Sequence, residues 1–159
     1  MTNPTMYVTS AGKQKLETEL NDLISQRSSI AEQIKEAREF GDLKENAEYA
    51  AAREAQNNLE TRIKEVEAIM QNLKVFSYKT ADTSKVNLGT AVLVENVKTK
   101  KQSTFVITGF MEFDIDKNYI SNESPKGKAL IGKKVGEIAI IKTPVSQIEL
   151  KILKISHAE

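Results

Sequence analysis

Gly41-Asp42-Leu43-Lys44-Glu45-Asn46-Ala47-Glu48-Tyr49 is a short acidic stretch between two long amphipathic segments of similar length. A chain patterned this way runs out along one helix, turns at residues 40–46 and runs back along another. The turn is rich in carboxylates at the point farthest from the base of such a hairpin. Packing alone does not require that placement, so the tip is the first candidate for function.

The outgoing arm begins after Tyr7-Val8, where Thr9 or Ser10 can accept hydrogen bonds from the free N–H groups of a first helical turn. Leu16, Leu20, Leu23, Ile30, Ile34 and Ala37 follow at steps of four, three, seven, four and three. This is a heptad seam with Arg27 in one of its places. An arginine there can bury its stem only if its head reaches water. The returning arm carries Ala47, Ala51, Ala52 and Ala55, then Leu59, Ile63, Val66, Met70 and Leu73. The alanines near the turn permit a close approach of the helices. With about 30 residues and no internal proline, each arm is a rod of about 45 Å. Joined by a short turn, the two must run antiparallel.

From Lys74 the period changes. Val75-Phe76 reads as a short strand and residues 79–85 as a polar linker. Residues 90–97 and 103–109 read as strands joined by a turn at Lys98-Thr99-Lys100-Lys101, and residues 118–121 as a short third. Ser124, Pro125 and Gly132 mark the N-cap, first position and C′ of a brief helix. Residues 136–141 form a further strand, ended by Pro144. Ile148, Leu150 and Ile152 alternate, then Leu153 and Ile155 continue in the other phase, which predicts a bulge or strong twist. The expected fold is α+β: a coiled-coil hairpin over residues 1–76, with its tip near 40–46, and a small antiparallel sheet domain with one short helix over 77–159.

The 159 residues include no cysteine, which excludes disulfides and thiolate metal sites. No apolar run approaches the roughly 20 residues needed to span a bilayer. The start, Met1-Thr2-Asn3-Pro4-Thr5-Met6, lacks the features of a signal peptide, and a cytoplasmic location is expected. Residues 1–73 hold 9 Lys/Arg against 13 Asp/Glu, a net −4; residues 74–159 hold 14 against 9, a net +5. The basic half suits docking to an acidic protein or a nucleic-acid complex, or is a lysine-rich solvated surface.

Asp42 and Glu45 admit two readings. They can form a capping box, with Asp42 as N-cap of the second helix and Glu45 reaching back to its N–H. They can also hold a hard cation such as Mg²⁺, which often takes only one or two protein carboxylates and keeps several waters. Two ligands make a weak site unless a second macromolecule supplies the rest. Glu36, Glu39 and Glu48 continue the acidic row as solvated surface. Arg38 and Arg53, one on each arm, can meet phosphates or pair with neighbouring glutamates.

Residues 36–49, with Ala52-Arg53-Glu54 after them, closely resemble the coiled-coil tip of bacterial Gre transcript cleavage factors, the GreA branch in particular. Ser124-Pro125, Leu130-Ile131-Gly132-Lys133 and Ile140-Ile141-Lys142-Thr143-Pro144 are similar to that family's C-terminal domain. The resemblance implies an FKBP-like C-terminal domain that docks on RNA polymerase, with Ser124 and Pro125 in the region facing it. It implies a hairpin that enters the polymerase secondary channel. There Asp42 and Glu45 would help hold a Mg²⁺ ion shared with the polymerase, and the polymerase would cut its own backtracked RNA near the 3′ end. Arg38 and Arg53 match the family's basic patch for the extruded RNA. The chain is then no enzyme itself, with no cofactor of its own.

Three other functions fit parts of the sequence. One is a polymerase-binding inhibitor of the same architecture with an inactive tip, although this tip keeps Asp42 and Glu45. Another is a peptidyl-prolyl isomerase, poorly served by Phe76, Tyr78, Phe105, Phe110, Phe113 and Tyr119 without a tryptophan. The third is a coiled-coil adaptor without chemistry. His157 reads as a solvated residue in a tail. An intramolecular hairpin needs no partner helix, so a monomer is expected.

Overall fold

The computed structural model describes residues 5–41 and 46–158. The chain divides into two compact units: Gln14–Leu73 makes the body of the first, while Thr5–Lys13 and Lys74–Glu159 make the second. The sequence placed one boundary at 76/77. The contacts place it three residues earlier and assign residues 5–13 to the second unit as well.

In the first unit, α1 (Ser10–Arg38) continues from Gln14 and α2 (Ala47–Gln71) returns. Their buried residues are those of the heptad seam: Leu16, Ile34 and Ala37 on α1, and Ala52, Leu59, Ile63 and Val66 on α2. Leu20, Leu23 and Ile30 are only half-buried, as expected of two helices with no third layer over them. The arms are also tied by ion pairs on the surface. Arg62 Nε donates to Glu19 Oε1 of the other arm at 2.6 Å, and Arg62 Nη1 to Glu65 on its own helix at 3.3 Å. Arg27 is exposed, and its guanidinium pairs with Glu60 of the other arm.

The second unit begins with β1 (Met6–Val8), which pairs with β2 (Leu73–Val75). Thr9 caps α1: its Oγ1 accepts from Gly12 N–H at 3.1 Å. Glu112 reinforces this cap from 103 residues away, its Oε1 accepting from Thr9 N–H at 2.9 Å and from Thr9 Oγ1 at 2.7 Å. A carboxylate at a helix N-terminus also suits the helix dipole. The Tyr7 carbonyl lies so close to Gly109 that a Cβ there would stand 1.9 Å from its oxygen. Only glycine fits such an approach.

A five-stranded sheet follows, in the order β5-β4-β3-β7-β6. Its strands are β3 (Thr90–Asn96), β4 (Gln102–Thr108), β5 (Tyr119–Ser121), β6 (Ile138–Lys142) and β7 (Gln147–His157). The predicted turn joins β3 to β4, with Asn96 Oδ1 accepting from the N–H groups of Lys98 and Thr99. The expected bulge is present: Leu93 faces Lys154 and Val94 faces Ile152, so Leu153 is the extra residue. One strand departs from an all-antiparallel sheet. β5 runs parallel to β4, because residues 109–118 carry the chain back across the strand end before it pairs.

α3 (Pro125–Leu130) has the predicted ends: Ser124 Oγ accepts from Gly127 N–H at 3.0 Å, and Gly132 follows with φ +86°. Leu130 packs into a core with Val92, Val94, Phe105, Ile107 and Ile152. Val86 joins that core and exchanges backbone hydrogen bonds with Gly132 and Lys133, so the polar stretch before β3 is anchored at its end. His157 ends β7 opposite Thr90, and its Nδ1 lies 3.0 Å from the Tyr78 carbonyl oxygen. It is a strand residue with a partner, not a tail residue.

Candidate functional site

The end of the hairpin is built from the last turn of α1 and the first turn of α2. α1 closes with tightened hydrogen bonds, Glu39 N–H to Glu36 O and Phe40 N–H to Ala37 O. Gly41 then takes φ +124°, a backbone few other residues adopt. Asp42 and Glu45, the candidate metal ligands, lie outside the described residues, as do Leu43 and Lys44 between them.

The chain resumes at Asn46, which makes the N-cap of α2. Its Oδ1 accepts from Tyr49 N–H at 3.0 Å, and its carbonyl from Ala50 N–H at 3.1 Å. The helix therefore begins at Ala47, and the expectation of Asp42 as its N-cap is corrected. Asn46 also reaches the other arm, its Nδ2 donating to the Ala37 carbonyl oxygen. One carboxamide thus caps one helix and satisfies a terminal carbonyl of the other. A signal existed in the sequence, since Asn is among the strongest N-cap residues. The Asp42-x-x-Glu45 pattern upstream obscured it.

Tyr49 is the other residue the sequence reading passed over. The Arg38 guanidinium carbon lies 5.8 Å from the centroid of its ring, a cation–π contact between the arms. Arg53 stands four residues after Tyr49 and so lies on the same face of α2. Among the described residues Arg53 has no ion-pair partner. Of the two arginines of the expected basic patch, Arg38 contacts the Tyr49 ring, and Arg53 shares the helix face that carries Tyr49.

Of the alanines near the turn, Ala37 and Ala52 are buried in the seam between the arms. Ala47 and Ala51 are exposed, and Ala37, Ala51 and Ala52 line an open cavity of about 330 Å³ with Gln33, Glu36, Phe40 and Glu48. Phe40 is 74% exposed at its mouth. Among the described residues no three His, Cys, Asp or Glu side chains converge as a metal site.

In the second unit Ser124 and Pro125 open α3. The Ser124 hydroxyl is engaged internally, accepting from Gly127 N–H and donating to the Ser121 carbonyl at 2.7 Å, whereas Pro125 is exposed. Lys126 follows, with Nζ 4.4 Å from the Phe105 ring centroid. It shares a cavity of about 180 Å³ with Lys101, Ser103, Phe105, Ile148 and Leu150, among others.

A hairpin with a basic–aromatic face at its end, followed by a five-stranded sheet unit, is the arrangement against which known proteins can be compared. Residues 6–75 match the family described as "Transcription elongation factor, N-terminal", and residues 81–157 match "Transcription elongation factor, GreA/GreB, C-term". The chain belongs to the GreA/GreB family. It is 46% identical over 151 residues to transcription elongation factor GreA of Amoebophilus asiaticus, covering 94% of this chain and 96% of that one. It is 44% identical over 152 residues to GreA of Pseudomonas syringae pv. tomato, with the same coverage. Among solved structures it is similar to GreA factor homolog 1 of Thermus thermophilus, at 23% identity and a TM-score of 0.43, covering 96% of this chain and 99% of that one. Among the described residues, no helix of this GreA/GreB family member is long and apolar enough to cross a membrane.

Proposed function

We propose that this chain binds RNA polymerase, inserts its hairpin into the secondary channel and stimulates the polymerase's own cleavage of backtracked RNA near the 3′ end. The observation that supports this most is the composition of the hairpin end. In sequence, Asp42 and Glu45 fall between two arginines, Arg38, which stacks on Tyr49 of the other arm, and Arg53, four residues after Tyr49 on α2. The capping of α2 falls to Asn46, which leaves both carboxylates without that structural duty.

Asp42 and Glu45 are hard oxygen donors of the kind Mg²⁺ prefers, and two are enough where a partner completes the set. Asp42 and Glu45, together with the polymerase, would hold a shared Mg²⁺ ion, which would stabilise charge on the reacting phosphodiester and acidify a bound water. The chain's own residues do the rest. Asp42 and Glu45 hold charge at the reacting phosphate, and the helical arms carry them to it. Arg38 and Arg53 meet phosphates of the extruded RNA 3′ segment and fix its register without reading its sequence. Tyr49 holds the Arg38 guanidinium in place.

In the second unit, Pro125 and the cavity beside Lys126 form the docking face. Its two lysines and apolar floor suit an acidic partner surface with an apolar anchor. The direct test adds the purified chain to a stalled, backtracked polymerase complex with labelled RNA and Mg²⁺. Faster release of short 3′ fragments is the expected result. A chain that binds the complex without changing cleavage would instead be an inhibitor or adaptor.

A further inference from the structure

We infer that the open cavity near the hairpin end takes an arginine side chain from the polymerase surface around the inserted hairpin. The inference rests on the function proposed above, which supplies that surface. The cavity has a volume of about 330 Å³. Ala37 and Ala52 line it from buried positions and so make an apolar floor. Phe40, Glu36 and Glu48 line it from exposed ones. Phe40 is 74% exposed, so burial does not account for the place of this ring. An apolar surface that is contiguous and rimmed by polar groups marks an interaction site.

Charge selects the occupant. Glu36 and Glu48 bring a carboxylate from each arm, and among the described residues neither has an ion-pair partner. Among the described residues, neither Arg38 nor Arg53 lines the cavity. An RNA phosphate is therefore repelled here and a cation attracted. Of the cationic side chains, arginine fits the rest of the lining. Its planar guanidinium stacks on an aromatic face and donates two parallel hydrogen bonds to a carboxylate. It is also weakly hydrated, whereas a lysine ammonium is a compact and strongly hydrated point charge. The methylene stem of the arginine lies along the alanine floor while its head meets Phe40 and the carboxylates.

The experiment uses the full chain in two arms. In the first, N-acetyl-arginine amide is titrated onto the chain while NMR follows the Ala37 and Ala52 methyl groups and the Phe40 ring. Saturable shifts at these three residues are expected, and N-acetyl-lysine amide should move them far less. Equal shifts with the lysine probe, or none with the arginine probe, would overturn the inference. In the second arm, binding to purified RNA polymerase free of RNA is measured for Phe40→Ala and for Glu36→Gln combined with Glu48→Gln. Each is expected to bind about threefold to tenfold more weakly than the unmodified chain, with unchanged melting and an unchanged cleavage rate at saturation. Unaltered affinity in both would overturn the inference and leave the functional reading standing. A loss confined to complexes with extruded RNA would also overturn it, because the occupant would then be a nucleobase. If the unmodified chain does not bind polymerase, the functional reading fails, and the polymerase as source of the arginine with it.

Discussion

Arg27 and Glu60 sit on opposite arms of the hairpin and share two hydrogen bonds, Nε to Oε1 at 2.8 Å and Nη2 to Oε2 at 2.9 Å. The arginine that interrupts the heptad seam thus turns outward and pairs across the arms. This hydrogen bond raises the Arg27 pKa above its ordinary value and lowers that of Glu60. Both groups are exposed, so the pair selects a register more than it adds stability. Arg27→Ala is expected to lower the melting temperature by at most about 2 °C. The difference should shrink at 1 M salt. Because the Glu60 pKa is lowered by folding, the pair's contribution is present above the ordinary carboxylate range and lost on acidification through the folded value. Thermal melts at several pH values and salt concentrations check this.

Tyr78 provides a second pH signature at the other end of the scale. Burial, with smaller contributions from Glu112 and Tyr119, pushes its pKa up to about 12. The folded state therefore binds the phenolic proton more tightly than the unfolded chain, whose tyrosines titrate near 10. The resulting stability is complete below about pH 10 and is lost as pH rises towards 12. Tyr78→Phe should flatten the alkaline fall in stability over that window while leaving stability near pH 7 little changed. Denaturant unfolding at pH 8 to 12 measures both.

Gly109→Ala is expected to loosen β1. Its Cβ would stand 1.9 Å from the Tyr7 carbonyl oxygen, and backbone cannot yield as a side chain can. Forcing such an atom in costs on the order of 1–3 kcal/mol. Chemical unfolding would show the loss. Hydrogen exchange should locate it at Phe110 N–H, which donates to that same carbonyl at 3.3 Å, and at Phe76 N–H, which donates to Val8 O at 2.9 Å.

The helical arms were legible because a heptad seam is a local pattern, and Thr9, Ser124 and Gly132 acted as the sequence indicated because capping is local too. The bulge at Leu153 was legible because a one-residue slip inverts the alternation around it. The parallel pairing of β5 was not, since a three-residue strand carries no direction and the crossover of residues 109–118 is a tertiary choice. Glu112 left no trace at all: its bonds to Thr9 span 103 residues. At the hairpin end, the arginines were visible as charges, but the stacking of Arg38 on Tyr49 was not, because it joins two arms. Asn46 was given no role, because the Asp42-x-x-Glu45 pattern that begins four residues upstream had the look of the cap.

The basic–aromatic face should separate from the acidic tip in function. Arg38→Ala and Arg53→Ala are expected to weaken contact with the extruded RNA, seen as reduced crosslinking to its 3′ segment, with cleavage slowed by about tenfold for each lost charged contact. Tyr49→Leu should reproduce part of the Arg38 effect, because it removes the ring that holds the guanidinium and leaves the charge in place. Helix content by circular dichroism should stay within error in all three.

The central claim is that Asp42 and Glu45 act on the polymerase's chemistry. It is tested most directly by comparing the unmodified chain with Asp42→Ala and Glu45→Ala for cleavage of labelled RNA in backtracked complexes, with polymerase binding measured on the same samples. The prediction is that each variant binds within about twofold of the unmodified chain and loses stimulation by about 100-fold or more, as removal of a group that stabilises transition-state charge requires. Stimulation that persists in both variants, or that disappears only in step with binding, would contradict it.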